Sequence, residues 1–314
     1  MQYESVSPAK LNLRLKICGR RSDGYHLLSM WNAPLELSDK IFLSIDESSS
    51  SIRVEVNGPY ADGVPVDSQN LIVKVTSAFF KKISIDAGLH MQLEKNIPIG
   101  GGLGGGSSNA ATVLQILNTH FGAISENMLL KEEELVDLSL PFGADIPYFL
   151  NPSFARLSGI GEKIAPCGAK NFAVYASSSL IPCYLVFGLP PAMTKDIYGA
   201  FDQLSKEDKL SKESMKKILS DPLAWPPQDY DELLQGLSND LEPAARASCS
   251  VLGEVLDRLR VSFGQRAQMT GSGSVLYLLP QTLKGGFLES EQEYLSKVAL
   301  DFKLQIVKSA VSLA

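Results

Sequence analysis

The stretch "PIGGGLGGGSSNAA" (residues 98–111) sets six glycines in the seven positions 100–106, then two serines and, after one asparagine, two alanines. Backbone that bare lets another group approach the main chain closely. Before it, "LHMQLEK" (89–95) alternates Leu89, Met91 and Leu93 with His90, Gln92 and Glu94, the period of a half-buried strand. After it, "SSNAATVLQILNTHFG" reads as an apolar helix with a serine N-cap and Gly122 at its C-terminal stop. Strand, glycine loop and helix N-terminus form an anion cradle. The first-turn N–H groups have no helical partner, and the macrodipole favours negative charge there.

Several cradles share that outline. A Walker A loop needs Lys after its last glycine, and Ser107 follows Gly106, so that form is excluded. The dinucleotide pattern G-x-G-x-x-G fits Gly100, Gly102 and Gly105, but it asks for a wholly buried strand before it and an acid ending the next strand. Here the first acid after the helix, Glu126, sits in a polar turn. A merely flexible glycine turn is the remaining alternative, although such turns rarely feed directly into an apolar helix. The third nucleotide-binding form, P-x-x-x-G-L-G-x-x-S-S-x-A-A, fits from Pro98 to Ala111.

Bulk properties narrow the setting. The chain has 314 residues, 45% hydrophobic and 20% charged, enough for two domains or one large one. With 29 Lys and Arg against 35 Asp and Glu, the formal charge is 29 − 35 = −6, which offers no basic field for a nucleic acid or an anionic membrane. Cys18, Cys167, Cys183 and Cys249 are scattered and read as reduced thiols of an intracellular protein. The N-terminus lacks a signal-peptide pattern, and no apolar run reaches about 18 residues. A cytoplasmic location is expected, or the plastid stroma if a transit peptide has been removed.

Further along, "LNLRLKI" (11–17), "DKIFLSID" (39–46) and "SIRVEV" (51–56) alternate as strands. "NLIVKVTSAFFKKI" (70–83) is helical, with Leu71, Val75, Phe79 and Ile83 on one side. "EEELVDLSLPFGADIPYFL" (132–150) gives a helix ending near Pro141 and then a turn. "PCYLVFGLP" (182–190) and "SVLYLLP" (274–280) read as buried strands. The charged helical stretch "SKEDKLSKESMKKIL" (205–219) lies between them, and "QEYLSKVALDF" (292–302) is an amphipathic helix. The order predicts an α+β protein with a boundary in the region 155–180.

Three separated motifs, "SPAKLNLRLKICGRRSDGYHLL" (7–28), the glycine loop and "MTGSGSVLYLL" (269–279), together resemble the kinases of galactose, homoserine, mevalonate and phosphomevalonate, the GHMP kinases. "NLIVKV" (70–75), "LPFGADIPYFL" (140–150), "GIGEKI" (159–164) and "NDLEPAA" (239–245) follow in the family's order. The resemblance implies an N-terminal ATP-binding domain like ribosomal protein S5 (1–165), a ferredoxin-like C-terminal domain (166–314), and an active site in the cleft between them. Within the family, "GRRSDGYH" is similar to the branch that phosphorylates a cytidylyl methylerythritol on the non-mevalonate route to isoprenoid precursors. The implied partners are that small-molecule substrate, ATP and Mg2+, with no nucleic acid or membrane, in a monomer or weak homodimer.

Site residues follow from the same resemblance. Asp145, in "GADIPYF", matches the catalytic carboxylate, and Lys10 the lysine paired with it. A carboxylate can accept the hydroxyl proton in phosphoryl transfer, and a lysine can hold it ionised. Asn12 shares the strand face of Lys10 and is expected to bond the substrate polyol. Tyr25 and His26 are expected at a pyrimidine, stacked and edge-bonded. Tyr198 is expected on the other face, although "GLPPAMTKDIY" lacks the serine the family has before the threonine. Pro98, Ile99, Gly100, Gly101, Gly102, Leu103, Gly104, Gly105, Gly106, Ser107 and Ser108 are expected at ATP. Ser107 or Ser108 is also the candidate Mg2+ ligand, and both serve equally as helix caps. Asn70 and Lys95 are expected at the nucleotide, or else as a helix cap and a solvated lysine. Gly271 and Gly273 are expected near the phosphates or the substrate, or in a tight turn.

Overall fold

In the computed structural model the described residues are 1–167, 180–206, 226–283 and 285–313. They are mixed α+β, as the sequence leads one to expect, and group into two compact units, each drawn from several stretches of chain.

The first unit takes Met1–Ala9, Leu37–Ile99 and Gly104–Pro152. It contains the start of β1 (Gln2–Arg20) and the end of β2 (His26–Asp46), followed by β3 (Ile52–Asn57), α1 (Leu71–Ile83) and β4 (Gly88–Glu94). α2 (Gly105–Ile124), α3 (Glu132–Ser139) and the single turn α4 (Ile146–Phe149) complete it. β4 lies between β2, antiparallel with Lys40 opposite Glu94, and β3, parallel with Val54 opposite Met91. Leu89, Met91 and Leu93 are buried while His90 and Gln92 are exposed, so the alternation read from the sequence holds. α1 packs on α2 through Phe79, Phe80 and Phe121, whose rings lie 5.8–6.4 Å apart at tilted or edge-on angles.

Two local readings are corrected. The buried stripe of α1 is Ile72, Val75, Thr76, Phe79 and Phe80, while Leu71 and Ile83 are only half-buried. The stripe is thus centred between the 75/79 row and the 72/76/80 row, because both phenylalanines turn onto α2. α2 begins two residues before the serines, with Gly104 as N-cap at φ 71°, and continues past Gly122 to Ile124. Gly122 is an interior helix residue packed against Leu129: a Cβ there would stand 2.6 Å from Leu129 Cδ1.

The second unit takes Lys10–Glu36, Gly100–Leu103 and Ser153–Ala314. Besides the rest of β1 and β2 it holds β5 (Ala155–Gly159), β6 (Lys163–Pro166), β7 (Leu180–Phe187) and α5 (Thr194–Lys206). After the undescribed stretch come α6 (Tyr230–Gly236), β8 (Ser238–Asn239), α7 (Glu242–Ser248) and α8 (Ser250–Phe263). β9 (Ala267–Met269), β10 (Leu276–Leu278), α9 (Glu289–Phe302) and β11 (Gln305–Ser312) end the chain. Strands run β2-β11-β7-β10-β9, each pair antiparallel, and β5 adds to β2 with Met30 opposite Leu157. β8 pairs in parallel with β1 at Arg14 and Leu15. The expected strands 182–190 and 274–280 and the C-terminal amphipathic helix are all present. Of the charged stretch 205–219, residues 207–219 lie outside the described residues.

Candidate active site

In the first unit the site is assembled around the start of α2. No side chain caps this helix, so its first-turn amides keep the donor capacity that a capping serine would have absorbed. Ser107 is half-buried in that first turn. Ser108 is fully buried and accepts a hydrogen bond from Ser7 Oγ at 2.8 Å. The turn carrying Asp145 comes up beside Ser107: a Cβ on Gly143 would lie 3.7 Å from Ser107 Oγ. Asp145 starts α4 but makes no side-chain cap bond, which leaves its half-buried carboxylate unused by the helix. Gln115 on α2 fixes the far end of α4 by donating to the Leu150 carbonyl at 2.6 Å. Burial, with the Asp145 charge adding to it, holds the Tyr148 phenol well above its usual range, so Tyr148 stays neutral.

Asn70 caps α1, accepting from the Ile72 amide at 2.8 Å, and is buried. Lys95 is not solvated. It is 4% exposed, and its Nζ meets Asp39 Oδ2 at 2.5 Å. Asp39, fully buried, accepts three further bonds, from the Asn96 and Ile97 amides (2.7 and 2.8 Å) and from Asn109 Nδ2 (2.9 Å). Asn109 Nδ2 also donates to Ser7 Oγ at 3.0 Å. This buried cluster ties the strand exit at 95–97 to the first turns of α2. Burial pushes the Lys95 ammonium pKa down, with Asp39 opposing it. The sequence carries no local sign of Asp39, whose four donors come from positions 56–70 residues away.

In the second unit Lys10, Asn12 and the third motif converge. Lys10 is 3% exposed; its Nζ donates to Asn12 Oδ1, and its amide donates to the Leu103 carbonyl at 3.0 Å. The Asn12 amide donates to Thr270 Oγ1 at 2.9 Å, and its Nδ2 donates to Asn32 Oδ1 at 2.6 Å. Asn32 is fully buried, and its own Nδ2 has no protein partner. Gly271 lies against Gly102, and a Cβ on Gly271 would also stand 3.2 Å from Asn12 Oδ1. Asn239, from the "NDLEPAA" stretch, holds this turn by donating to the Met269 and Gly271 carbonyls at 3.0 and 2.8 Å. Ser274 Oγ reaches the Gly100 carbonyl at 3.3 Å. Sequence reasoning missed Asn32, Thr270 and Ser274. Thr270 and Ser274 lie inside the third motif, next to Gly271 and Gly273, whose bare backbone is the stronger local signal.

Around the D-G-Y-H segment, Tyr25 is 59% exposed on its loop. The His26 ring is largely buried, with Tyr198 at 5.0 Å and a 30° tilt, and Phe201 edge-on at 5.9 Å. His26 and Tyr198 are therefore neighbours, with His26 held by Asp202 of α5 (Nε2 to Oδ1, 2.8 Å).

The first unit thus offers an uncapped helix start with a half-buried carboxylate in the turn beside it, and the second unit a buried lysine–asparagine pair. Residues 70–151 match the model described as the GHMP kinases N terminal domain. The chain is 31% identical over 269 residues to a protein of Clostridium botulinum (strain Eklund 17B / Type B) named 4-diphosphocytidyl-2-C-methyl-D-erythritol kinase, covering 86% of this chain and 88% of that one. It is 32% identical over 283 residues to a protein of the same name from Polaromonas sp. (strain JS666 / ATCC BAA-500), covering 88% and 83%. A crystal structure of a 4-(cytidine 5'-diphospho)-2C-methyl-D-erythritol kinase superposes with TM-score 0.65 at 27% identity, covering 99% of each chain. The chain belongs to the GHMP kinases, in the branch of these erythritol kinases. It is an ATP-dependent small-molecule kinase.

Proposed function

We propose that this protein transfers the γ-phosphoryl group of ATP to the 2-hydroxyl of 4-diphosphocytidyl-2-C-methyl-D-erythritol. The observation that carries the reading is the D-G-Y-H segment, with Tyr25 exposed and His26 packed beside Tyr198, in a chain whose relatives are named for a cytidine diphosphate substrate. An aromatic face and ring nitrogens suit a pyrimidine, whereas a kinase of mevalonate or homoserine has no base to hold.

The residues take these parts. The uncapped first turn of α2 and the loop 98–106 hold the ATP phosphates through backbone N–H groups. Asp145 accepts the proton of the 2-hydroxyl as its oxygen bonds to the γ-phosphorus and the bond to ADP breaks. Lys10 supplies positive charge to the reacting groups, and Asn12 orients the polyol. Mg2+ fits Ser107, whose hydroxyl is half-buried at the helix start, better than the buried and bonded Ser108. Mg2+ brought in on nucleotide phosphates asks for only one or two protein oxygens and supplies neutralisation of phosphate charge. Asn70 and Lys95 act from behind, through the α1 cap and the Asp39 cluster, on the walls of the nucleotide site. Gly271 and Gly273 shape the turn against which Gly102 and Asn12 rest.

ADP release against a panel of alcohols tests the reading. The cytidylyl methylerythritol is expected to be turned over far faster than mevalonate or homoserine; a preference for either of those would assign the protein to another branch of the family.

A further inference from the structure

A histidine that reads a base must hold its proton on one defined nitrogen, because the neutral ring donates from one side and accepts on the other. His26 opens β2, and its Nε2 stands 2.8 Å from Asp202 Oδ1. Arg20 Nη1 holds the other carboxylate oxygen, Asp202 Oδ2, at 3.2 Å. The His26 side chain is 10% exposed and that of Asp202 23%, so the pair is partly withdrawn from water. Tyr198 and Asp202 lie one turn apart on α5, so a single helix face delivers both the aromatic neighbour and the carboxylate to the same imidazole.

An ionised carboxylate only accepts hydrogen bonds, so Nε2 bears the hydrogen. In the neutral ring Nδ1 is then a bare acceptor. An acceptor at that position suits one kind of pyrimidine edge. Cytosine presents an exocyclic amino donor at C4, where its oxo counterpart presents a carbonyl oxygen.

We infer that Asp202 is a positioning residue that fixes His26 as the Nε2–H tautomer and so makes the base site choose an amino-bearing pyrimidine over its oxo counterpart. The inference rests on the proposed function, in which His26 meets the base, and deepens it by naming the group that sets base choice. Asp202 touches neither substrate nor reacting atoms and acts only through His26.

Two measurements on the full chain test it. The first is long-range 1H–15N correlation at neutral pH, with the His26 signals assigned by their loss in His26→Gln. It is expected to show the ring hydrogen on Nε2, and in Asp202→Ala a mixture of tautomers. The second compares kcat/KM for the cytidylyl substrate and its uridylyl analogue. Asp202→Ala is expected to raise KM for the cytidylyl substrate roughly three- to tenfold, the worth of one hydrogen bond. The cytidylyl preference should fall by the same factor, with kcat and the KM for ATP unchanged. Asp202→Asn, whose amide oxygen can still accept from Nε2–H, is expected to keep most of the preference. An Nδ1–H or doubly protonated His26 in the parent, or an Asp202→Ala variant with the parent's preference, would overturn the inference. A parent that does not turn over the cytidylyl substrate at all would overturn the proposed function itself, and the base choice with it.

Discussion

The main chains of Gly102 and Gly271 lie back to back, so that a Cβ on Gly271 would stand 3.0 Å from Gly102 Cα. Both residues have positive φ, 76° and 58°. The bare backbone of the glycine loop therefore serves two approaches. Gly102 is bare because the Thr270–Gly271 main chain comes against it, while the loop's later glycines lead into the uncapped start of α2.

Gly102→Ala is expected to cost on the order of 2–3 kcal/mol of stability, from a left-handed non-glycine residue plus the clash with Thr270. Gly100→Ala shares the positive φ, but its nearest neighbour would be Pro191 Cβ at 3.6 Å, an ordinary contact. It should cost only about 1 kcal/mol. Urea unfolding of the two variants checks the ordering, and equal losses would mean that the Gly271 contact is not tight.

The Asp39–Lys95 pair predicts an asymmetry. Asp39→Ala leaves a buried ammonium without its counter-charge and is expected to cost about 3–5 kcal/mol. Lys95→Met leaves Asp39 with its Asn96, Ile97 and Asn109 donors and should cost less, about 1–3 kcal/mol. The pH dependence has a defined sign. Burial holds the Lys95 pKa below its ordinary value in the folded chain, so the unfolded chain binds the extra proton between the two values. Stability from this group is lowest below the folded pKa and recovers as pH rises towards about 10.4. In Asp39→Ala that window widens, so its deficit should shrink in alkali; a deficit independent of pH would contradict this.

The Asp39 cluster also marks where sequence reading stops. Strand and helix periods were legible because alternation and the 3.6-residue repeat are local. The glycine loop was legible because only closely approached backbone needs six glycines in seven positions. Asp39 was not, because its four partners lie 56–70 residues away and two of them, Asn96 and Ile97, bond through backbone amides that no side chain announces. The serines at 107–108 looked like caps because serine favours that position. A left-handed Gly104 takes the chain into the helix earlier and frees Ser107 for other work.

Tyr25→Ala should cost about 1–3 kcal/mol of binding to the cytidylyl substrate, the range for a base stacked on an aromatic ring. The base makes the same contact in ground and transition states, so KM rises while kcat and the KM for ATP stay put. Tyr25→Phe should be nearly silent. Steady-state kinetics with each substrate varied in turn checks this, and a loss of ATP affinity would remove Tyr25 from the base site.

Asp145→Asn keeps the shape of the turn and removes the proton acceptor. A loss of roughly 10²–10⁴ in kcat is expected, with ATP-analogue binding unchanged. A variant that turns over like the parent would show that the carboxylate is not the base.

The most direct measurement is 31P NMR of the product formed from ATP and 4-diphosphocytidyl-2-C-methyl-D-erythritol. C2 of that polyol carries a methyl group and no hydrogen. One new monoester resonance without a three-bond coupling to a carbinol proton is therefore expected, formed in step with ADP and beside an intact diphosphate. A monoester split by a carbinol proton, or ADP released with no new ester, would contradict it.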